Sequence, residues 1–158
     1  MGRSGSLAIL FTQPTPCSKG CDTMPELAVE RSDTMHRRNL AMQARSMIAS
    51  SMNIVEEDEN ALMTTYNDFF VLFSFSEVHP LIMISLVRKI DNMGKKSIEV
   101  CNQMNLSSVL GSHAINDEAA CYTYRSTHWL DAELDKPRFF EILNRCVDEA
   151  SRCFKMIA

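Results

Sequence analysis

Glycine and long apolar runs are both scarce in this chain of 158 residues. Only five glycines occur, and no Gly-x-Gly-x-x-Gly pattern or P-loop lysine is present, so the sequence predicts no backbone loop that cradles phosphate. The one apolar run near the start, residues 7–11, is too short for a signal-peptide core or a membrane span. We therefore expect a cytoplasmic protein without a membrane partner.

Positive charge is also in short supply. The 16 lysines and arginines are outnumbered by 20 aspartates and glutamates, which gives a net charge of −4. Nucleic-acid binding requires clustered positive charge, and the basic residues here are scattered. The one local run, Arg37 and Arg38 with Arg45, lies where a helix surface is expected. We expect a solvated helix face there and no nucleic-acid partner.

The six cysteines lack the spacing of a disulfide framework or a zinc site. Cys17 and Cys21 share a stretch rich in Pro, Ser and Gly, without a second ligand pair nearby. The other four lie in periodic apolar segments, where free cysteine behaves as a small hydrophobic residue; they are Cys101, Cys121, Cys146 and Cys153. We expect no metal and no cofactor.

Nucleophilic catalysis has one candidate arrangement. A reactive cysteine needs a nearby base and an exposed, electropositive setting, and Cys121 could meet His113 or His128 if adjacent strands bring them together. No histidine has a second ligand at the helical spacing typical of metal sites. We expect a satisfied or exposed strand histidine instead, and hence no catalytic residue and no enzyme.

The densest acidic cluster is residues 56–59, which read Glu-Glu-Asp-Glu. Carboxylates can bind a divalent cation, but the cluster lacks the spacing and the turn glycine of a calcium loop. The alternative is a solvated turn that protects a sheet edge, and we favour it.

Residues 1–32 are rich in Gly, Ser, Thr and Pro and predict a flexible N-terminal tail. A single α+β domain is expected over residues 33–158. Asp33 can cap a first helix that ends near Asn53. One helical stripe of that helix is apolar: Leu40, Ala44, Met47, Ile48 and Met52.

Strands follow on either side of the acidic turn. Short extended segments at 54–55 and 62–66 lead to the segments 69–75 and 81–87, whose short connection predicts an antiparallel hairpin. A middle helix at 93–106 with Ile98, Cys101 and Met104 facing inward precedes a second hairpin, 107–115 with 120–130. The last helix, capped by Asp135, keeps a helical apolar period to the end. We expect three helices and a five-stranded, mostly antiparallel sheet.

The two strands of the first hairpin have one fully apolar face. On the other face, the side chains are apolar at one end and fade to serine. A sheet packed on one side only should alternate more cleanly with polar residues, so we expect partial coverage of the second face by a chain segment, a second subunit or a client. The predicted contact patch there is Phe70, Leu72, Leu81 and Met83.

The order helix, three strands, helix, two strands, helix resembles the YbjN family of proposed sensory-transduction regulators, which shares the fold of class I type III secretion chaperones. The resemblance covers residues 36–158. Its residues are the acidic turn at 56–60, Asn102, Asn105 and Gly111, followed by the strand 122–130 and an amphipathic C-terminal helix. It implies a homodimer that holds or senses another protein, and it supplies no catalytic residues.

Two functions are therefore expected from the sequence. The first is a dimeric, non-catalytic protein-binding module, chaperone-like or regulatory, that holds a client polypeptide by apolar patches. The alternative is a small-ligand sensor with a pocket between sheet and helices.

Overall fold

The structure, a computed structural model, describes residues 25–76, 78–91 and 94–158, and only the backbone of 25–33. Three helices and six strands follow one another in this order: α1 Pro25–Ser51, β1 Ile54–Glu57, β2 Ala61–Tyr66, β3 Phe69–Phe75, β4 Leu81–Lys89, α2 Lys95–Ser107, β5 Gly111–Asn116, β6 Cys121–Trp129 and α3 Lys136–Ile157.

The strands form one sheet in the order β1-β2-β3-β4-β6-β5, and every pair is antiparallel. The predicted α+β architecture and both predicted hairpins are confirmed. The count of five strands is wrong, because β1 pairs with β2 as a separate edge strand. Ile54 lies opposite Thr64 and Glu56 opposite Met63, with a bulge at Val55 between them.

Helix α1 begins at Pro25, eight residues before the cap expected at Asp33. Proline fits the first turn of a helix, because its missing N–H would have no partner there. The next residues, Glu26 to Asp33, contain neither glycine nor proline to stop the helix. Residues 25–32 are therefore helical, and the predicted tail over residues 1–24 lies outside the described residues.

The core lies between one face of the sheet and helices α1 and α3. Ile48 of α1 and Leu143 of α3 are fully buried in the same cluster as Phe73 of β3. Phe73 contacts Phe139, with ring centroids 5.5 Å apart. Asp135 caps α3 as predicted, because its side chain accepts a hydrogen bond from the Arg138 N–H at 2.9 Å.

Helix α2 lies beside α3 and the edge strand β5. Cys101 faces inward as predicted, with its Sγ 3.9 Å from Sγ of Cys153, and Met104 packs partly against the core. Ile98, predicted to face inward, is 43% exposed, and Ser97 is buried instead. A helix at the margin of a core buries a narrow stripe, so an apolar residue three positions from Cys101 can still face solvent.

Two tight turns use left-handed backbone. Asn67 and Asp68 connect β2 to β3 with φ of 47° and 66°, values that suit the two central residues of a hairpin turn. Ala120 precedes β6 with φ of 47°, where alanine is strained by its Cβ.

Replacing Ala120 with glycine should raise the free energy of unfolding by about 0.5–1 kcal/mol, since glycine adopts this φ without the steric cost. Ala119→Gly, at the neighbouring position with ordinary φ, should lower it by a similar amount, because glycine gains entropy in the unfolded chain. Urea unfolding midpoints measure both. Equal losses in the two variants would contradict the strain at Ala120.

Candidate partner-binding face

The side of the sheet opposite α1 and α3 is called the open face here. Its apolar residues come from the alternate positions of β2, β3 and β4 that do not enter the core cluster. They are Met63, Phe70, Leu72, Leu81, Met83 and Val87.

The four residues predicted as a contact patch all lie on the open face. Phe70 is 53% exposed, and Leu72, Leu81 and Met83 are half-buried. Leu72 lies opposite Met63 of β2, and Phe70 lies opposite Val87 of β4, so the apolar side chains continue across three strands. Their part in binding stays a prediction.

Trp129 extends this surface and was missed from the sequence. It lies opposite Leu81 across β4 and β6 and is 68% exposed. The sequence contains a signal for its position, because Trp129 lies at the end of the predicted strand, two residues beyond Thr127 and on the same face. Its neighbour in space depends on the pairing of β4 with β6, which the sequence order does not reveal.

One row of residues that lie opposite each other on neighbouring strands of the open face changes in polarity along its length. It begins with Glu56 of β1, passes Met63 and Leu72, and continues through Ser85 to Arg125 of β6. The row is therefore acidic at the β1 edge and apolar towards the centre.

A cavity of about 140 Å³ lies at the acidic end of the row. Its lining combines apolar and acidic side chains: Glu56, Glu57, Asp58, Ala61, Met63 and Leu72. The acidic segment is held by Arg45 of α1, which donates hydrogen bonds to the carbonyl oxygens of Asp58 and Ala61 at 2.6 and 3.3 Å. The predicted turn is confirmed only in part, because Glu56 and Glu57 lie in the edge strand β1, opposite Met63 and Leu62, and the turn to β2 begins at Asp58.

Ser85 lies in the centre of the row. It is only 4% exposed, and its hydroxyl has no hydrogen-bond partner in the part of the chain that the structure describes. Burial of a hydroxyl without a hydrogen-bond partner lowers the free energy of unfolding.

Cys121 and the two strand histidines do not meet. Cys121 lies opposite Lys89 on the open face, whereas His113 and His128 point to the helix-covered face. His113 pairs with Tyr124 in register, four residues along β6 from His128. The candidate nucleophilic pair is therefore wrong, because its members lie on opposite faces of one sheet.

A different Cys–Ser–His cluster lies inside the core. The Sγ of Cys146 is 3.2 Å from Oγ of Ser126 and 3.7 Å from Nε2 of His128. Burial raises the pKa of the Cys146 thiol and lowers the pKa of His128, so both groups are neutral near pH 7. A fully buried, protonated thiol leaves no access for a substrate.

Glu149 of α3 is the one buried acid among the described side chains. Its carboxylate accepts hydrogen bonds from the Tyr124 hydroxyl at 2.9 Å and from the Ser108 hydroxyl. His113 lies 3.8 Å away through Nε2, while its Nδ1 is 2.7 Å from the Tyr122 hydroxyl. Burial lowers the pKa of His113, and the Glu149 charge opposes this shift in part.

The Glu149 cluster fixes the connection between α2 and β5. The Ser108 hydroxyl also lies 2.7 Å from the carbonyl oxygen of Gly111, so its one proton is shared between that oxygen and the Glu149 carboxylate. At Gly111, a Cβ would lie 2.5 Å from the Arg125 carbonyl oxygen and 2.6 Å from the Tyr124 ring, so glycine is required by close approach.

The same connection displays apolar side chains to solvent. Leu106 is 90% exposed, Val109 is 92% exposed, and Leu110 is also exposed. These three residues are called the α2–β5 knob. Ser108, which lies between Leu106 and Val109 in the chain, ties this connection to Glu149 of α3.

Among the described helices, none is long and apolar enough to cross a membrane. Within the same residues, no three acidic, cysteine or histidine side chains converge as metal ligands.

The sequence matches no protein-family model and no curated protein. Solved structures with the same fold exist at low identity. The ExsC–ExsE complex matches with a TM-score of 0.56 and 15% identity, over 78% of this chain and 94% of that chain. YbjN from E. coli, a proposed transcription regulator, matches with a TM-score of 0.53 and 11% identity, over 70% of this chain and 85% of that chain.

The Yersinia pestis type III secretion chaperone SycH, solved with a stable fragment of YscM2, matches with a TM-score of 0.50 and 13% identity, over 74% of this chain and 98% of that chain. The predicted resemblance to the YbjN and type III secretion chaperone fold is therefore confirmed at the level of fold.

Acid should destabilise the fold through His113. The unfolded chain protonates this histidine near its ordinary pKa of 6.5, whereas burial keeps it neutral to lower pH in the fold. The free energy of unfolding should fall below about pH 6.5, by at most about 1.4 kcal/mol per pH unit for one such histidine. Burial also lowers the pKa of His128, which therefore adds to the loss of stability in acid.

His113→Phe should reduce the slope of the free energy of unfolding against pH by close to the contribution of one proton. This change in slope does not depend on the effect of the substitution on stability at neutral pH. Urea unfolding at several pH values between about 5 and 7.5 measures the slope. A slope unchanged from that of the unmodified protein would contradict the neutral, buried state of His113.

Proposed function

Since the chain has the fold of YbjN and of type III secretion chaperones, we propose that it is a non-catalytic, chaperone-like or regulatory module that holds a client polypeptide on its open face. The observation that carries this proposal is the one-sided packing of the sheet. The helices cover one face, and the other retains aromatic, leucine and methionine side chains at its surface.

The chemistry of the open face suits an extended polypeptide. Phe70 and Trp129 are large, exposed anchors, and Met83 has a flexible thioether that adapts to varied side chains. Two of the solved structures with this fold are complexes of two proteins, SycH with its YscM2 fragment and ExsC with ExsE. These complexes support a protein as the occupant.

The small-ligand sensor has no comparable support. In the described part of the chain, aromatic side chains pack against one another between the sheet and the helices. Phe139 contacts Phe73 at 5.5 Å between centroids, and Tyr122 contacts Phe154 at 5.9 Å. Close packing of this kind is typical of a core rather than of a ligand pocket.

The proposal includes a homodimer, formed through the α2–β5 knob. A two-fold interface brings the same surface of each subunit together, so a suitable surface carries no cluster of one charge sign. Residues 106–110 read Leu-Ser-Ser-Val-Leu and are uncharged, whereas the open face ends in the acidic segment 56–59. The charge distribution therefore favours the knob for a second copy and the open face for a client.

In sedimentation velocity at tens of micromolar, the protein should behave as a dimer of 17.9 kDa chains. Val109→Glu should convert it to monomer, because two buried glutamates would face each other across the two-fold axis. Met156→Glu, at an exposed site on α3, is the matched control and should leave the dimer intact. A purely monomeric unmodified protein, or a dimer that survives Val109→Glu, would contradict this interface.

Client retention should depend on the open face. Native mass spectrometry of the protein isolated from its own cells should detect a bound polypeptide, and Leu72→Ser with Met83→Ser should remove most of it. Both side chains are half-buried, so the thermal stability of the variant should change little. Ile84→Ser, one residue away on the covered face, should instead cost about 2–5 kcal/mol.

A large drop in melting temperature for Leu72→Ser, with the bound polypeptide retained, would contradict binding of the client to this face. The adjacent covered-face variant separates the loss of a contact from the loss of the fold.

A further inference from the structure

We infer that the client segment is basic as well as apolar, and that it places a lysine or arginine in the cavity at the β1 end of the open face. This inference rests on the proposed function and specifies the chemistry of the client. Its structural basis is the position of Glu56 in the same cross-strand row as Met63 and Leu72.

The cavity fits the two parts of a long basic side chain. Its volume of about 140 Å³ is that of one side chain, and Ala61, Met63 and Leu72 supply an apolar wall. Glu56 and Asp58 supply carboxylates at the same cavity. Lysine and arginine bury a hydrocarbon stem against apolar surface while the charged head pairs with acids, so they match this lining.

The cations of α1 that approach the acidic segment lie on the other side of β1, and Arg125 of the open face is separated from Glu56 by strands β2, β3 and β4. Arg45 of α1 contacts the Glu57 carboxylate at 3.5 Å, and Arg38 and Arg45 line a groove with Glu59 on the helix side. Glu56 instead follows the register of the open face, opposite Met63. The negative charge of Glu56 is thus directed to the surface where the client is proposed to lie.

The client is expected on the face of the sheet rather than at its edges. At the β5 edge, the Asn105 amide donates to the His113 carbonyl oxygen at 2.9 Å and accepts from its N–H at 2.6 Å, so both backbone groups at the middle of this strand are already occupied. At the β1 edge, the bulge at Val55 interrupts regular pairing.

Ser85 is a second, independent sign of a ligand on this row. Its buried hydroxyl lies beside Leu72 in register and has no partner in the described residues. A backbone N–H or carbonyl group of a segment crossing the face can satisfy it once the surrounding side chains adjust.

Selection from a phage-displayed library of short random peptides tests the inference. Peptides selected by the unmodified protein should carry lysine or arginine next to apolar residues. The double variant Glu56→Lys with Asp58→Lys should select aspartate and glutamate instead. Glu118→Lys, an exposed acid in the turn before β6 at the opposite edge of the sheet, is the control and should keep the basic preference.

A synthetic copy of a selected peptide should bind Glu56→Gln about fivefold more weakly, the change expected for loss of one favourable surface ion pair. Leu72→Ser should weaken binding of the same peptide, with melting curves confirming that both variants fold.

The outcomes separate the inference from the proposed function. Selected peptides without charge preference, whose binding is lost in Leu72→Ser, would overturn the inference and leave the proposed function standing. Failure to select any peptide, or binding unaffected by Leu72→Ser, would overturn both.

Discussion

Strands β3 and β4 are apolar at most positions on both of their faces, yet only alternate side chains reach the helices. Phe73 and Ile84 are fully buried under α1 and α3, while Leu72 and Met83, next to them in the chain, remain at the opposite surface. The alternation of side chains along a strand imposes this division. The chain thus has more apolar sheet surface than its helices cover, and the proposed binding of a client follows from that excess.

Strong local periodicity made much of the fold predictable. Helix α3, with its cap at Asp135, and the two hairpins were predicted because each is coded within a few neighbouring residues. The segment 54–55 was predicted to be extended but was not counted as a strand of the sheet, because β1 has four residues, two of them acidic, and is stabilised only by pairing with β2. The inward side of α2 was predicted partly wrongly, since the contacts with α3 and β5 decide whether Ile98 or Ser97 is buried.

The candidate site was predictable within a strand and not between strands. Alternation along β3 and β4 is enough to place Phe70 and Met83 on one face of the sheet. The contributions of Glu56 and Trp129 depend on a bulge and on the pairing of β4 with β6, neither of which local sequence encodes. Cys121 was paired with His113 because the register of β5 against β6 was unknown, whereas alternation along β6 alone already places Cys121 and His128 on opposite faces.

The methyl groups of four methionines report separately on the two faces of the sheet. Met63 and Met83 lie on the open face. Met47 of α1 and Met52, just after that helix, pack against the core on the other face. The most direct test of the account is therefore an NMR titration of methyl-labelled protein with a bound polypeptide. If the polypeptide lies on the open face, the resonances of Met63 and Met83 shift and those of Met47 and Met52 stay in place. Shifts confined to Met47 and Met52 would contradict it and move the binding surface to the helical side.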